Sequence, residues 1–242
     1  MRISILIPVL AFAAGGVLPA ASGVTLDRSA PETAGWPAAS QPAVRPPAPE
    51  VAAALQKKYD AIRDFTADFV HESQGGLLRK KASERGAVQV KKPGKMRWDY
   101  KSPEPKVFVS NGRKLYLHVP ADNQVLVSPV PAADQATTAV LFLVGKGSVT
   151  RDFTITYVEG GTPDTYVLKL EPKLPERDYD WLQLVVDRQT LQIRSLSAAD
   201  AQGGRSTFHF SKFRQNVGLS DKTFDFKIPR GADVIEAPST SR

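Results

Sequence analysis

The five residues from Met96 to Tyr100 alternate between large apolar and charged side chains with a period of two. Met96, Trp98 and Tyr100 fall on one face, and the residues between them fall on the other. This is the pattern of a β-strand with one buried face. A Pro93-Gly94 turn precedes the strand. The apolar side chains are unusually large for one strand. The fold must therefore provide a large apolar environment on the face of the strand that carries them.

The same period recurs along the chain from Phe65 to Phe213, interrupted by turn signals rich in Gly, Pro and Asn. It predicts about ten antiparallel strands. The predicted strands begin at Phe65 and continue as Ala82–Val90, Met96–Tyr100, Lys106–Ser110, Lys114–Val119, Gln124–Ser128, Asp152–Val158, Thr165–Leu170, Trp181–Asp187, Leu191–Ala198 and Ser206–Phe213. Phe224 to Pro229 is predicted to be an extended closing segment.

Two helices accompany these strands. The first begins at Pro49 and Glu50, which suit a first helical turn, and is predicted to end at Asp64. Its apolar stripe is Val51, Leu55, Tyr59 and Ile62. The second, Ala139–Val144, is almost wholly apolar and ends at Gly145.

Many strands are apolar on both faces, as in Val107 with Phe108, and two short helices cannot fill so long a sheet. The sheet must therefore curl around a partly empty interior. A large exposed apolar trough promotes aggregation, so we expect the Ala139–Val144 helix to cover it. The predicted fold is mainly β (α+β): an incomplete, curled antiparallel β-barrel with a lid of short helices over a hydrophobic cavity.

Residues 1–23 have the features of a cleaved secretory signal peptide, with Arg2 before an apolar run. An uncleaved anchor is the alternative, but the run is shorter than the about 20 residues that a span needs, and Pro8 interrupts it. Residues 24–48 are rich in Ala and Pro and predict a disordered leader. Residues 49–235 form the predicted domain, and 236–242 a flexible tail.

The composition argues against several kinds of active site. There are no cysteines, which excludes disulfides and thiolate metal sites. The three histidines lack the spacing of a metal motif, and Gly145–Ser148 lacks the upstream glycine of a phosphate loop. We therefore predict no metal, no cofactor and no enzymatic activity. The carboxylates of Glu176–Asp180 leave a secreted hydrolase as the less favoured alternative.

Basic residues surround the Met96–Tyr100 strand, and the net charge of the chain is +7. Period-two alternation places most of them opposite the aromatic residues, which argues against a nucleic-acid groove. Two interpretations remain: a solvated outer face, or a docking patch for an anionic membrane or acidic partner. The cluster consists of Lys91, Lys92, Lys95, Arg97, Lys101, Lys106, Arg113 and Lys114.

An ordered set of segments extends from the first strand to the end of the domain. The segments are Phe65–Phe69, Val90–Tyr100, Ser110–Leu117, Asn123–Val125, Leu170–Lys173, Ser206–Phe208, Asn216 and Phe224–Val234. Taken together, this set resembles the LolA-type outer-membrane lipoprotein carriers. The resemblance implies an incomplete β-barrel that carries acylated lipoproteins through the periplasm. It also implies a monomer that takes them from an inner-membrane ABC transporter and passes them to an outer-membrane acceptor. A related lipid-binding, glycolipid-binding or sensory protein of the same fold is the alternative.

The resemblance also assigns candidate site residues. In the family an arginine before the Pro-Gly turn bonds to lid carbonyls and keeps the empty cavity shut, and Lys92 occupies that position here. Lysine keeps the charge but not the planar fork of donors. Ala139 replaces a lid proline, and His71 a strand glutamine. The predicted acyl-chain contacts, which could instead be ordinary core residues, are Leu55, Met96, Trp98, Tyr100, Leu141 and Leu143.

Overall fold

The computed structural model describes residues 45–75, 80–130, 147–176, 179–200 and 203–236 of the 242-residue chain. Its strands are β1 (Asp64–Gly75), β2 (Lys80–Lys91), β3 (Lys95–Ser102), β4 (Lys106–Asn111), β5 (Lys114–Val119), β6 (Gln124–Pro129), β7 (Phe153–Tyr157), β8 (Thr165–Pro172), β9 (Trp181–Asp187), β10 (Ile193–Ala199), β11 (Arg205–Gln215) and β12 (Asp233–Glu236). The described helices are α1 (Ala48–Ala61), the single turn α2 (Val149–Asp152) and the 3₁₀ helices Pro120–Asp122 and Asp221–Phe224.

All twelve strands belong to one sheet, in the order β12-β6-β5-β4-β3-β2-β1-β11-β10-β9-β8-β7. Pairing of β1 with both β2 and β11 joins the two halves of the sheet. This confirms the prediction of a mainly β, curled and incomplete antiparallel barrel. The prediction of about ten antiparallel strands omitted β12, which is only four residues long and pairs with β6 in the parallel direction.

Helix α1 packs its apolar stripe against one face of the sheet, which we call the inner face. Val51, Leu55 and Tyr59 are buried in the main core. Burial of this stripe supplies most of the stability of the helix, because an isolated helix of this length is marginal in water. The prediction that Asp64 ends the helix is wrong. The helix ends at Ala61, and Asp64 begins β1.

The second predicted helix, Ala139–Val144, lies outside the described residues. Beyond that gap the structure contains the short helix α2, which the sequence did not predict. The hydroxyl of Ser148 accepts a hydrogen bond from the amide of Arg151 at 3.2 Å and so caps α2. The amide of Val149 donates to Oε1 of Gln56 at 2.8 Å, which joins α2 to α1.

The segment after β11 covers the outer face of β4–β6, the face opposite α1. Phe224 is fully buried, and the ring of Phe226 lies 5.3 Å from that of Tyr116. The predicted extended segment from Phe224 to Pro229 is therefore wrong in detail. Phe224 ends a 3₁₀ helix, and the strand that pairs with the sheet begins at Asp233. Packing of the aromatic side chains on the sheet, rather than backbone pairing, holds this segment.

The inner face also depends on one close approach between strands. A Cβ atom added to Gly86 in β2 would lie 2.1 Å from the carbonyl oxygen of Asp99 and 2.7 Å from the ring of Phe69. Only glycine fits between them. In the described part of the chain, no helix is long and apolar enough to span a membrane.

Candidate functional site

Five aromatic rings from strands β1, β3 and β11 form a continuous surface on the inner face. We call this surface the aromatic trough; its members are Phe69, Trp98, Tyr100, Phe208 and Phe210. The ring of Phe69 lies 5.1 Å from Trp98 and 4.9 Å from Tyr100, both in edge-to-face geometry. Trp98 lies 5.1 Å from Phe208. Period-two alternation in β1, β3 and β11 places these rings on one face.

A pocket lies between the end of α1 and this trough. Its lining residues are Tyr59, Phe65, Val88, Trp98, Ile193, Phe210 and Phe213. The space between them, counted out to the mouth of the pocket, is about 290 Å³. Little of this space is wide enough for even one water molecule, so at this pocket the inner face is packed closely and not hollow.

The predicted acyl-chain contacts occupy different positions around this pocket. Trp98 lines it, and Tyr100 lies next to it in the aromatic trough. Leu55 and Met96 are buried members of the core, with exposed fractions of 0% and 7%. Leu141 and Leu143 lie outside the described residues. The assignment of all six residues to acyl chains stays a prediction.

Lys92 lies immediately after β2 and reaches α1. Its ammonium donates a hydrogen bond to the backbone carbonyl of Tyr59, in the last turn of the helix. Burial lowers the pKa of Lys92, and the nearby carboxylate of Asp60 partly opposes that shift. The structure thus joins Lys92 to a helix carbonyl on the inner face, whereas its role as a latch stays a prediction.

Further contacts fix the same end of α1 to the other half of the sheet. The hydroxyl of Tyr59 accepts a hydrogen bond from the buried amide of Ile193 at 3.1 Å. Lys58 donates to the carbonyl of Thr190 at 2.5 Å. The sequence predicted Tyr59 as a core residue through its spacing, but a hydroxyl bonded to a distant strand has no signature in a single sequence.

The start of α1 is fixed separately. The guanidinium of Arg45 lies 3.3 Å from the centre of the Tyr157 ring, and the Tyr157 hydroxyl donates to the carbonyl of Pro46 at 2.8 Å. A second arginine, Arg188, lies 5.0 Å from the neighbouring ring of Tyr166. Cation–π contacts of this kind favour arginine. The described structure therefore fastens α1 to the sheet at both of its ends.

A polar cluster lies at the far end of the aromatic trough from α1. Nδ1 of His71 lies 3.2 Å from Glu84, and its Nε2 lies 2.8 Å from the hydroxyl of Ser206. Its ring stacks on Phe208 with 4.0 Å between centroids. Lys106 pairs with the same Glu84 at 2.5 Å. The partners of His71 come from three other strands, and a single sequence does not show that these strands meet here.

The remaining histidines lie away from this cluster. His209 is half exposed. His118 lies on the outer face, 5.9 Å from Phe226. Among the described residues, no group of three or more His, Asp or Glu side chains could hold a metal ion.

The basic cluster proves to be divided between the two faces, and half of its members form ion pairs with described residues. Lys91 and Lys95 both contact Asp221, at 2.7 and 3.0 Å. Arg97 pairs with Asp99 on the outer face. Lys106, in contrast, lies directly opposite Tyr100 in the sheet and therefore on the inner face. Its partner Glu84 neutralises it, so it does not belong to an outer basic patch.

The chain is similar in sequence to one protein family and to several of its members, and similar in fold to a solved structure. Residues 60–227 match the family model described as outer membrane lipoprotein carrier protein LolA. An outer-membrane lipoprotein carrier protein of Methylobacillus flagellatus is 31% identical over 75% of this chain and 85% of its own length. One of Chromohalobacter salexigens is 29% identical over 73% and 82%. An uncharacterized conserved protein of Thermus thermophilus has a similar fold, with a TM-score of 0.50 and 12% identity, covering 78% of this chain and 98% of its own.

Proposed function

Since this chain belongs to the LolA family of outer-membrane lipoprotein carrier proteins, we propose that it carries lipoproteins from the inner to the outer membrane. It binds the acyl chains that would otherwise be exposed to water. The observation that supports this most directly is the apolar pocket under α1, which continues into the aromatic trough. This function is one of binding and release, without a catalysed reaction.

The energetics suit such a carrier. Each buried CH₂ group is worth about 0.8 kcal/mol, so a chain of about 15 carbons contributes about 12 kcal/mol when fully buried. Such binding is strong enough for capture and must be weakened for delivery. In the arrangement described, α1 occupies the inner face and the pocket is narrow. Movement of α1 away from the sheet is therefore part of loading in our proposal.

Lys92 sets the balance between these two arrangements. Its bond to the Tyr59 carbonyl stabilises the empty, closed form. Any free energy that favours the closed form is subtracted from the apparent affinity for acyl chains. Where the family has a latch arginine, this chain has a lysine, whose hydrogen bond within the described residues goes to the Tyr59 carbonyl. Leu55, Met96, Trp98 and Tyr100, with Leu141 and Leu143, then contact the acyl chains once α1 has moved.

The cellular setting follows from the same proposal. The chain is exported to the periplasm, where residues 1–23 are removed and residues 24–48 remain as a leader before the carrier domain of residues 49–235. It acts there as a monomer. Its partners are an inner-membrane ABC transporter that releases lipoproteins and an outer-membrane acceptor that receives them.

The test is release of lipoprotein from inner-membrane vesicles that contain the transporter and are supplied with ATP. Addition of the purified exported protein should move lipoprotein into the supernatant in a complex with the carrier. A variant with Trp98→Glu serves as the matched negative control. Lipoprotein that stays in the vesicles with both proteins would contradict the carrier function.

A further inference from the structure

The polar cluster of His71, Glu84, Lys106 and Ser206 lies on the same inner face as the aromatic trough. His71 is six positions after Phe65 in β1, about 20 Å further along the strand, because a strand rises about 3.4 Å per residue. The cluster nevertheless borders the pocket, because the His71 ring lies 4.0 Å from Phe208, which lies 5.1 Å from the pocket residue Trp98. Tyr100 connects the two regions: its ring contacts Phe69, and the ammonium of Lys106 lies 4.4 Å above it. An amphiphile lying along the trough would place its polar end at this cluster.

The cluster is partly accessible. The side chains of His71, Glu84 and Lys106 are 17%, 19% and 29% exposed. They come from β1, β2 and β4, and Ser206 comes from β11. Four strands thus direct polar groups to one place on a face that is otherwise aromatic in this region.

Such a cluster is costly to the fold. Removal of charged groups from water costs free energy of folding. Apolar side chains of similar size in the same place often give an equally stable protein. Convergent polar groups at the edge of an apolar pocket are instead typical of sites that orient a ligand. The His71–Glu84–Lys106 arrangement therefore calls for a functional explanation.

The charges of the cluster indicate what it can bind. Glu84 balances Lys106, and burial lowers the pKa of His71, so that its imidazole is neutral at neutral pH. The cluster then carries no net charge, which disfavours a phosphate and suits a neutral acceptor. An ammonium has three donors. In the described part of the chain, Glu84 is the hydrogen-bond acceptor that Lys106 contacts, so donors remain for a ligand.

We propose that this cluster binds the ester carbonyl groups that join acyl chains to the polar head of the cargo, with Lys106 as the donor. This inference rests on the carrier function proposed above and specifies which part of the lipoprotein is recognised. Glu84 and His71 position the lysine, and Ser206 positions the histidine. The aromatic trough takes the beginning of the chain, so the cluster fixes how deeply the cargo enters.

The test compares two synthetic lipopeptides with the same peptide and chain lengths. One carries its two glycerol-linked chains as esters, and the other carries them as ethers, which lack the carbonyl oxygens. Wild-type protein should bind the ester form about tenfold more tightly, the equivalent of one hydrogen bond to a charged donor. Lys106→Met should reduce this preference to less than about twofold. Lys114→Met, an exposed lysine on β5, is the matched control and should keep the preference.

Lys106→Met leaves Glu84 without its lysine and could unfold the protein. The double variant Glu84→Gln/Lys106→Met removes both charges and should show the same loss of preference. An unchanged ester preference in these folded variants, or none in wild type, would overturn the inference and leave the carrier function intact. If wild-type protein binds neither lipopeptide, the carrier function fails and this inference fails with it.

Discussion

The ammonium of Lys92 donates a hydrogen bond to the backbone carbonyl of Tyr59, 33 residues earlier in the chain. The same carbonyl accepts the amide of Ile62 at 3.1 Å, as part of the end of α1. The hydroxyl of Tyr59 accepts the amide of Ile193 in β10. One residue of the helix thus connects with both halves of the sheet, and displacement of α1 must break both connections.

Replacement of Lys92 by leucine should impair delivery more than loading. The closed form loses a hydrogen bond to a charged group, worth about 1.5 kcal/mol, so cargo should dissociate about tenfold more slowly. Transfer of a radiolabelled lipoprotein from the loaded carrier to outer membranes measures this. Lys92→Arg should transfer normally. Lys91→Leu is the control, because Lys91 contacts Leu219 and Asp221 and not α1. Normal transfer by Lys92→Leu would remove this lysine from the mechanism.

Tyr59→Phe should lower the free energy of unfolding by about 1–2 kcal/mol, because the buried amide of Ile193 loses its acceptor. Urea unfolding measures the difference. The control is Tyr157→Phe, whose hydroxyl bonds at an exposed position to Pro46 and whose loss should cost less than about 0.5 kcal/mol. Equal effects of the two substitutions would show that the Tyr59–Ile193 hydrogen bond contributes no more to the free energy of unfolding than an exposed one does.

Trp98→Glu should reduce binding of a fluorescent fatty-acid probe by at least about tenfold, because a carboxylate in the pocket must be desolvated when the chain enters. Lys101→Glu lies on the opposite face of the same strand and should bind the probe within about twofold of wild type. Similar binding by both variants would place the acyl chain elsewhere.

Gly86→Ala should destabilise the protein by more than about 2 kcal/mol, since the new methyl group would collide with the backbone of Asp99 and the ring of Phe69. Thermal unfolding is the measurement. Ala87→Ser, at the next position and on the outer face, should change stability by less than about 0.5 kcal/mol. A stable Gly86→Ala protein would mean that β2 and β3 can separate without penalty.

The stability of the protein should depend on the ionisation of His71. Burial lowers its pKa, a shift that Glu84 opposes and Lys106 reinforces. Below the ordinary histidine pKa of about 6.5 the unfolded chain therefore binds more protons, and the free energy of unfolding falls as the pH drops toward the folded pKa. His71→Gln should lose less stability than wild type between about pH 7 and about pH 5. His209→Gln, half exposed on the outer face, should behave as wild type, and a wild-type slope in His71→Gln would contradict the assignment.

Local patterns predicted the strands because period-two alternation and turn residues are local properties. Met96, Trp98 and Tyr100 were placed on one apolar face from sequence alone, and the strands that begin at Phe65 and at Ser206 were predicted from the same period. The same reasoning missed β12, since four exposed residues that pair in parallel with β6 carry no alternating pattern.

Contacts between side chains on different strands could not be predicted from such local patterns. The approach of Lys106 to Glu84 across β3 depends on the register of three strands, and the prediction that basic residues lie mostly on the outer face failed for this lysine. The partial filling of the pocket was equally unpredictable, because the position of Phe213 depends on a register shift between β1 and β11.

The described sheet has two free edges, β7 and β12, and they lie at opposite ends of the strand order. A closed barrel has a circumference fixed by its number of strands and their stagger. An unclosed one can widen by small rotations between neighbouring strands while every ladder stays intact. The carrier could thereby change the width that its curled sheet encloses and fit lipoproteins whose acyl chains differ in number and length.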